Sequence, residues 1–162
     1  MSYIKSKKSG ASLVEVVIAS SIISLTLVTL VTIYSLVARY SLNNVRNLKA
    51  TALVEEEAEV LGFLRDSGWT RNITSLSNNT TYRLYWNGTS WVASTTAPLL
   101  ENRYDVTFIL YPVYRNASFN VVTSGGTLDT GSRKAVLTVS WRESHATTTK
   151  TAEVYLFNIA NN

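Results

Sequence analysis

The chain has 162 residues, no cysteine, a single histidine and a formal net charge of +4. That length holds one modest domain besides a long helix. Without cysteine there are no disulfides, no thiolate catalysis and no Cys-based metal sites, and His145 alone supports neither a Ser-His-Asp triad nor a His-based metal cluster.

Residues 1–10 are basic, with Lys5, Lys7 and Lys8, and end in Ser9-Gly10. Removing those three lysines takes the net charge from +4 to +1, so the basic balance is a weak argument for a nucleic-acid partner. The same lysines favour a cytoplasmic N-terminus by the positive-inside tendency. Glu15 follows, and no further charge occurs until Arg39. At about 1.5 Å rise per residue the uncharged run Val16–Ala38 spans a hydrocarbon core of ~30 Å. The run exceeds the roughly 7–15 apolar residues of a secretory signal, and no A-x-A pattern follows it. An ordinary anchor fits the length but gives Gly10 and Glu15 no role, and a carboxylate at the start of a membrane helix is costly without a partner.

Chemistry supplies a role for both. Gly10 lets an extended backbone pass close to a protease. A cut after it frees a positive amine at Ala11, four residues before Glu15 and on the same helix face. A carboxylate beside an amine is far less costly to bury than either alone. The segment Ser9-Gly10-Ala11-Ser12-Leu13-Val14-Glu15-Val16 resembles the cleavage and methylation signature of type IV pilins and type II secretion pseudopilins. The resemblance implies a leader (residues 1–10) removed by a prepilin peptidase, N-methylation of Ala11, and Glu15 answering the amine of a neighbouring subunit during assembly. The family usually has Phe directly after the cut, where this chain has Ala11.

One helix is predicted from Ala11 to about Asp66; it contains no proline, and its first glycine is Gly62. Residues 11–38 form its membrane and assembly half. There Ser20, Ser21, Ser24, Thr26, Thr29, Thr32 and Ser35 can bond back to the preceding turn, or permit close helix approach. Residues 39–66 form an amphipathic half, with Ala50, Val54, Ala58, Leu61 and Leu64 at helical spacing and Leu42, Val45 and Leu48 leading in. The acidic run Glu55, Glu56, Glu57 and Glu59 reads as a solvated face. Gly68 is a reasonable stop.

Residues 67–81 read as a polar, surface-facing connection. An antiparallel sheet is expected over residues 82–162. Tyr82–Trp86 and Trp91–Ala93 flank the turn signal Asn87-Gly88. Tyr104–Tyr111 places Tyr104, Val106, Phe108 and Leu110 on one face, with Pro112 ending the strand or marking an edge. Phe119–Val122 is short, and Ser124-Gly125-Gly126 and Asp129-Thr130-Gly131 are loop chemistry. Ala135, Leu137, Val139 and Trp141 alternate; after a polar loop at Glu143–Thr149, Ala152–Ile159 is the last strand. The expected fold is α+β: one long helix on a meander of antiparallel strands. Arg133–Trp141 and Glu153–Leu156 resemble the last strands of minor pilins and minor pseudopilins.

The expected function is therefore a structural subunit, a minor pilin or pseudopilin, and no enzyme. No cofactor or metal is expected; Asp129 with Ser124 or Thr127 makes a weak hard-cation site. The resemblance implies prepilin peptidase, other pilin subunits and an inner-membrane assembly platform as partners. It also implies a single-pass location in the cytoplasmic membrane, then an extracellular filament. The alternative is a membrane-anchored module using Trp69, Trp86, Trp91 and Trp141 to stack on glycan or single-stranded DNA, although those residues also suit core packing.

Overall fold

A computed structural model describes residues 12–101, 103–143 and 146–159. Its elements are a helix α1 (Leu13–Ser67), a π-helical turn (Thr70–Thr74) and strands β1 (Thr81–Trp86), β2 (Trp91–Ser94), β3 (Tyr104–Arg115), β4 (Val121–Val122), β5 (Thr127–Glu143) and β6 (Ala146–Phe157). The class is α+β. Two compact units divide the chain between Val45 and Arg46.

In the first unit α1 carries an apolar surface that is exposed all round, Leu13, Val17, Ile23, Leu30 and Val37 among it. The serines and threonines expected to bond backward do so: Ser21 Oγ donates to the Val17 carbonyl, Ser24 to Ser20, Thr29 to Leu25, Thr32 to Val28 and Ser35 to Val31, at 2.8–2.9 Å. Each hydroxyl is satisfied within its own helix, which removes most of its cost in an apolar medium.

In the second unit the later turns of α1 bury Ala50, Leu53, Val54, Glu57, Val60, Leu61 and Leu64. Of these, Ala50, Leu53, Val54, Leu61 and Leu64 share one core with Tyr104, Phe108, Leu110, Ala135, Leu137, Val139, Trp141 and Leu156 of the sheet. Complete burial of side chains such as Leu61, Phe108 and Leu137 contributes about 1.5–3 kcal/mol each. The lead-in residues Leu42, Val45 and Leu48 are exposed and take no part in this stripe. The polar connection is not wholly a surface loop, since Trp69 and Ile73 are core residues.

The sheet is antiparallel throughout, in the order β2-β1-β3-β5-β6, with β4 paired to the end of β3. It is not the simple meander expected, because β2 lies at the edge rather than between β1 and β3. The strands flanking Asn87-Gly88 form the expected hairpin, with a connection of four residues: Trp86 opposes Trp91, the Asn87 N–H donates to the Ser90 carbonyl, and Asn87 Oδ1 accepts from the Thr89 and Ser90 amides. Pro112 does not end β3. It sits at a register shift, where Pro112 opposes Arg133 and Val113 opposes Asp129. Its missing N–H costs little there, because β1 pairs β3 only at Ile109 and Phe108 and β4 only from Tyr114 onward. The shift puts Asp129-Thr130-Gly131 inside β5 as an irregularity rather than in a loop, and it moves the buried set from Phe108 and Leu110 to Val113. Of the polar segment at Glu143–Thr149, the described residues 143 and 146–149 are likewise sheet: Arg142 opposes Thr147 and Ser140 opposes Thr149. The last strand ends at Phe157, and Ile159 lies outside it.

Candidate functional site

Residue Ser12 is the N-cap of α1. Its Oγ accepts the Val14 N–H at 3.2 Å, and its own N–H donates to Oε2 of Glu15 at 2.8 Å. This is a capping box, Ser-x-x-Glu, in which side chains satisfy backbone donors that a helix start leaves open. A carboxylate in the first turn also meets the positive end of the helix dipole. The pattern was present in Ser12-Leu13-Val14-Glu15, and sequence reasoning missed it by weighing Glu15 only against an amine. Gly10, Ala11, Lys5, Lys7 and Lys8 lie outside the described residues, as does His145. Beyond Glu15 the uncharged run is exposed, and α1 is the one described helix long and apolar enough to cross a membrane. By length and composition α1 is a candidate membrane span near the N-terminus, followed by the sheet-bearing unit.

The acidic run divides. Glu55, Glu56 and Glu59 are exposed, but Glu57 is 7% exposed and is not part of a solvated face. Its place follows from spacing: Glu57 lies seven residues after Ala50 and seven before Leu64, at the centre of the buried stripe. Burial pushes its carboxyl up to about 8; the Leu84 N–H, which donates to the carboxylate, offsets part of this. Its Oε1 has no hydrogen-bond partner.

The four tryptophans do not form one stacking surface. Trp69 and Trp141 are in the core. Trp86, 54% exposed, and Trp91 meet edge-on at 5.9 Å across the β1–β2 hairpin. Nor does Asp129 offer a cation site, because its oxygens are taken by Arg115 Nε at 2.6 Å, Ser132 Oγ at 2.6 Å and the Gly131 N–H at 3.0 Å. Arg115, Ser132 and Gly131 together hold its carboxyl below the ordinary aspartate range. Among the described residues no cluster of three or more His, Asp or Glu is placed to hold a metal.

Compared with models of protein families, with curated proteins and with solved structures, the chain matches none.

Proposed function

We propose that the chain is a non-catalytic filament subunit, a minor pilin or pseudopilin, made as a precursor in the cytoplasmic membrane. The observation that carries this reading is the character of α1. Its first half is uncharged and exposed behind a single carboxylate at Glu15, and its later turns bury a stripe against an antiparallel sheet. An exposed apolar helix needs lipid before assembly and other helices after it. In this reading a prepilin peptidase cuts after Gly10 and Ala11 is methylated. Glu15 then receives the amine of a neighbouring subunit as an inner-membrane platform passes the chain into the filament. The basic residues Lys5, Lys7 and Lys8 hold the leader inside until the cut.

Mass spectrometry of the chain recovered from filaments tests this directly. The expected N-terminus is Ala11 carrying a methyl group. Recovery of working filaments in which residues 1–10 remain attached overturns the proposal.

A further inference from the structure

β2 is an edge strand that pairs with β1 alone, and a groove of about 530 Å³ lies beside it. Trp91, Val92 and Ala93 all line this groove. Trp91 and Ala93 pack toward the core, whereas Val92 alternates to the other face. A groove bordered by residues from both faces of one strand runs along the backbone edge of that strand. Its opposite wall is the end of α1, with Phe63, and the π-helical turn and the residues just after it, with Arg71 and Leu76.

The hairpin fixes which main-chain groups face the groove. The Asn87 N–H donates to the Ser90 carbonyl, which puts Asn87 and Ser90 in the bonded position. Bonded and non-bonded pairs alternate along an antiparallel ladder, so Trp86–Trp91 and Leu84–Ala93 are non-bonded pairs. The N–H and C=O of Trp91 and Ala93 therefore turn away from β1 and toward the groove. A row of main-chain groups of this kind is satisfied by a further strand. On the facing wall the polar side chains are engaged with their own element: Ser67 Oγ donates to the Phe63 carbonyl, Asn72 Nδ2 to the Leu64 carbonyl and Ser75 Oγ to the Arg71 carbonyl. Arg71 is the exception. It is exposed, no carboxylate among the described residues pairs with it, and its Nε reaches only Asn72 Oδ1, at 3.4 Å. We propose that the groove takes an extended, acidic peptide segment of another protein, added to β2 as a further strand. The main chain of the segment bonds Trp91 and Ala93, an apolar side chain rests on Phe63 and Leu76, and a carboxylate side chain meets Arg71. The four residues of β2, at about 3.4 Å each, limit the added strand to about four residues. The groove volume lies within the ~300–1,000 Å³ usual for ligand clefts. The groove belongs to the sheet-bearing unit, so binding there requires neither a membrane nor a filament.

The test adds a fluorescein-labelled peptide of about six residues to the full chain in detergent micelles and reads anisotropy. The peptide alternates valine and threonine around one glutamate and is blocked at both ends. The expected result is saturable binding. Two further peptides carry N-methyl groups on alternate residues, one on each set. Methylation of the set whose N–H groups meet β2 is expected to abolish binding, and methylation of the set that faces away is expected to leave affinity within about twofold. Ala93→Pro removes a donor that faces the groove and none that bonds β1, and is expected to weaken binding at least about tenfold. Should Ala93→Pro not fold, the two methylated peptides put the same question to the unaltered chain. Arg71→Gln, or glutamine in place of the peptide's glutamate, is expected to weaken binding about twofold to fivefold, as for an exposed ion pair, and to remove most of its salt dependence. No saturable binding, equal effects of the two methylation sets, unchanged affinity in either variant, or equal affinity for a peptide with lysine at the centre overturns the inference. Loss of peptide binding as the chain itself is concentrated would make a second copy the occupant and overturn the assignment to another protein.

Discussion

The Ser12 N–H donates to the Glu15 carboxylate at 2.8 Å, so the residue proposed to guide assembly closes the start of its own helix. The two roles respond differently to substitution. Glu15→Gln keeps an acceptor for the Ser12 amide and removes the charge, whereas Glu15→Leu removes both. Loss of a cap costs about 1 kcal/mol. If charge pairing with a neighbour's amine governs entry, both variants drop out of filaments by at least about tenfold, since losing one partner of a buried pair costs about 3–5 kcal/mol. The measurement is the amount of each variant in sheared filaments relative to membranes. Normal incorporation of Glu15→Gln with loss of Glu15→Leu would reduce Glu15 to a capping residue.

Stability should fall as pH rises from mildly acid to mildly alkaline. Glu57 is raised from about 4.5 to about 8 in the folded chain, so the native state binds a proton that the unfolded chain has released. Its contribution is fully present below about pH 4.5 and is lost progressively up to about pH 8. At about 1.4 kcal/mol per pH unit the loss is on the order of 3–5 kcal/mol. Glu57→Gln is neutral at every pH and can still accept from the Leu84 amide. It is expected to flatten the profile and to be the more stable protein at pH 8.5, while differing little at pH 5. Thermal unfolding followed by near-UV circular dichroism checks both; a wild-type midpoint independent of pH over this window contradicts the burial of an ionisable Glu57.

Much of this architecture was legible because period carries it. The buried face of β5, Ala135 to Trp141, and that of β3, Tyr104 to Leu110, follow strict alternation, and the end of α1 at Ser67 precedes a glycine. What escaped was decided by partners distant in sequence. Nothing near Pro112 announces that neither β1 nor β4 reaches it, which is why a proline fits inside β3. The threonines at 147–149 look like loop residues but sit opposite Arg142, Trp141 and Ser140. The charge of Glu57 and its acidic neighbours point to solvent, whereas its spacing from Ala50 and Leu64 puts it in the apolar stripe.

Asp129 acts in the opposite direction on the pH scale. Its folded carboxyl is depressed by Arg115, Ser132 and the Gly131 amide. Its stabilisation is therefore present above the ordinary aspartate range and is lost as pH falls through the lower folded value. Asp129→Ala also leaves the half-buried Arg115 guanidinium without its carboxylate and frees the residues of the β5 irregularity. The expected cost is about 2–3 kcal/mol near neutral pH, read as a lower denaturation midpoint, with the difference from wild type shrinking in acid. Asp129→Asn retains part of the hydrogen bonding and should fall between the two.

Two glycines should respond in opposite ways to the same methyl group. Gly62 lies inside α1, and a Cβ built there meets nothing within 4 Å. Glycine costs a helix interior about 1 kcal/mol relative to alanine, so Gly62→Ala should stabilise the chain by roughly 0.5–1 kcal/mol. Gly126 precedes β5, and a Cβ there would lie 2.8 Å from the carbonyl oxygen of Arg115 and 3.0 Å from its carbonyl carbon. That obstacle is backbone and cannot rotate aside. Gly126→Ala must push the start of β5 away from the end of β3, where Arg115 opposes Thr127. Overpacking of this kind costs about 1–3 kcal/mol. Denaturant titration of both variants beside the wild type gives the two signs in one experiment, and a Gly126→Ala protein as stable as wild type would show that β3 and β5 do not approach so closely at this end.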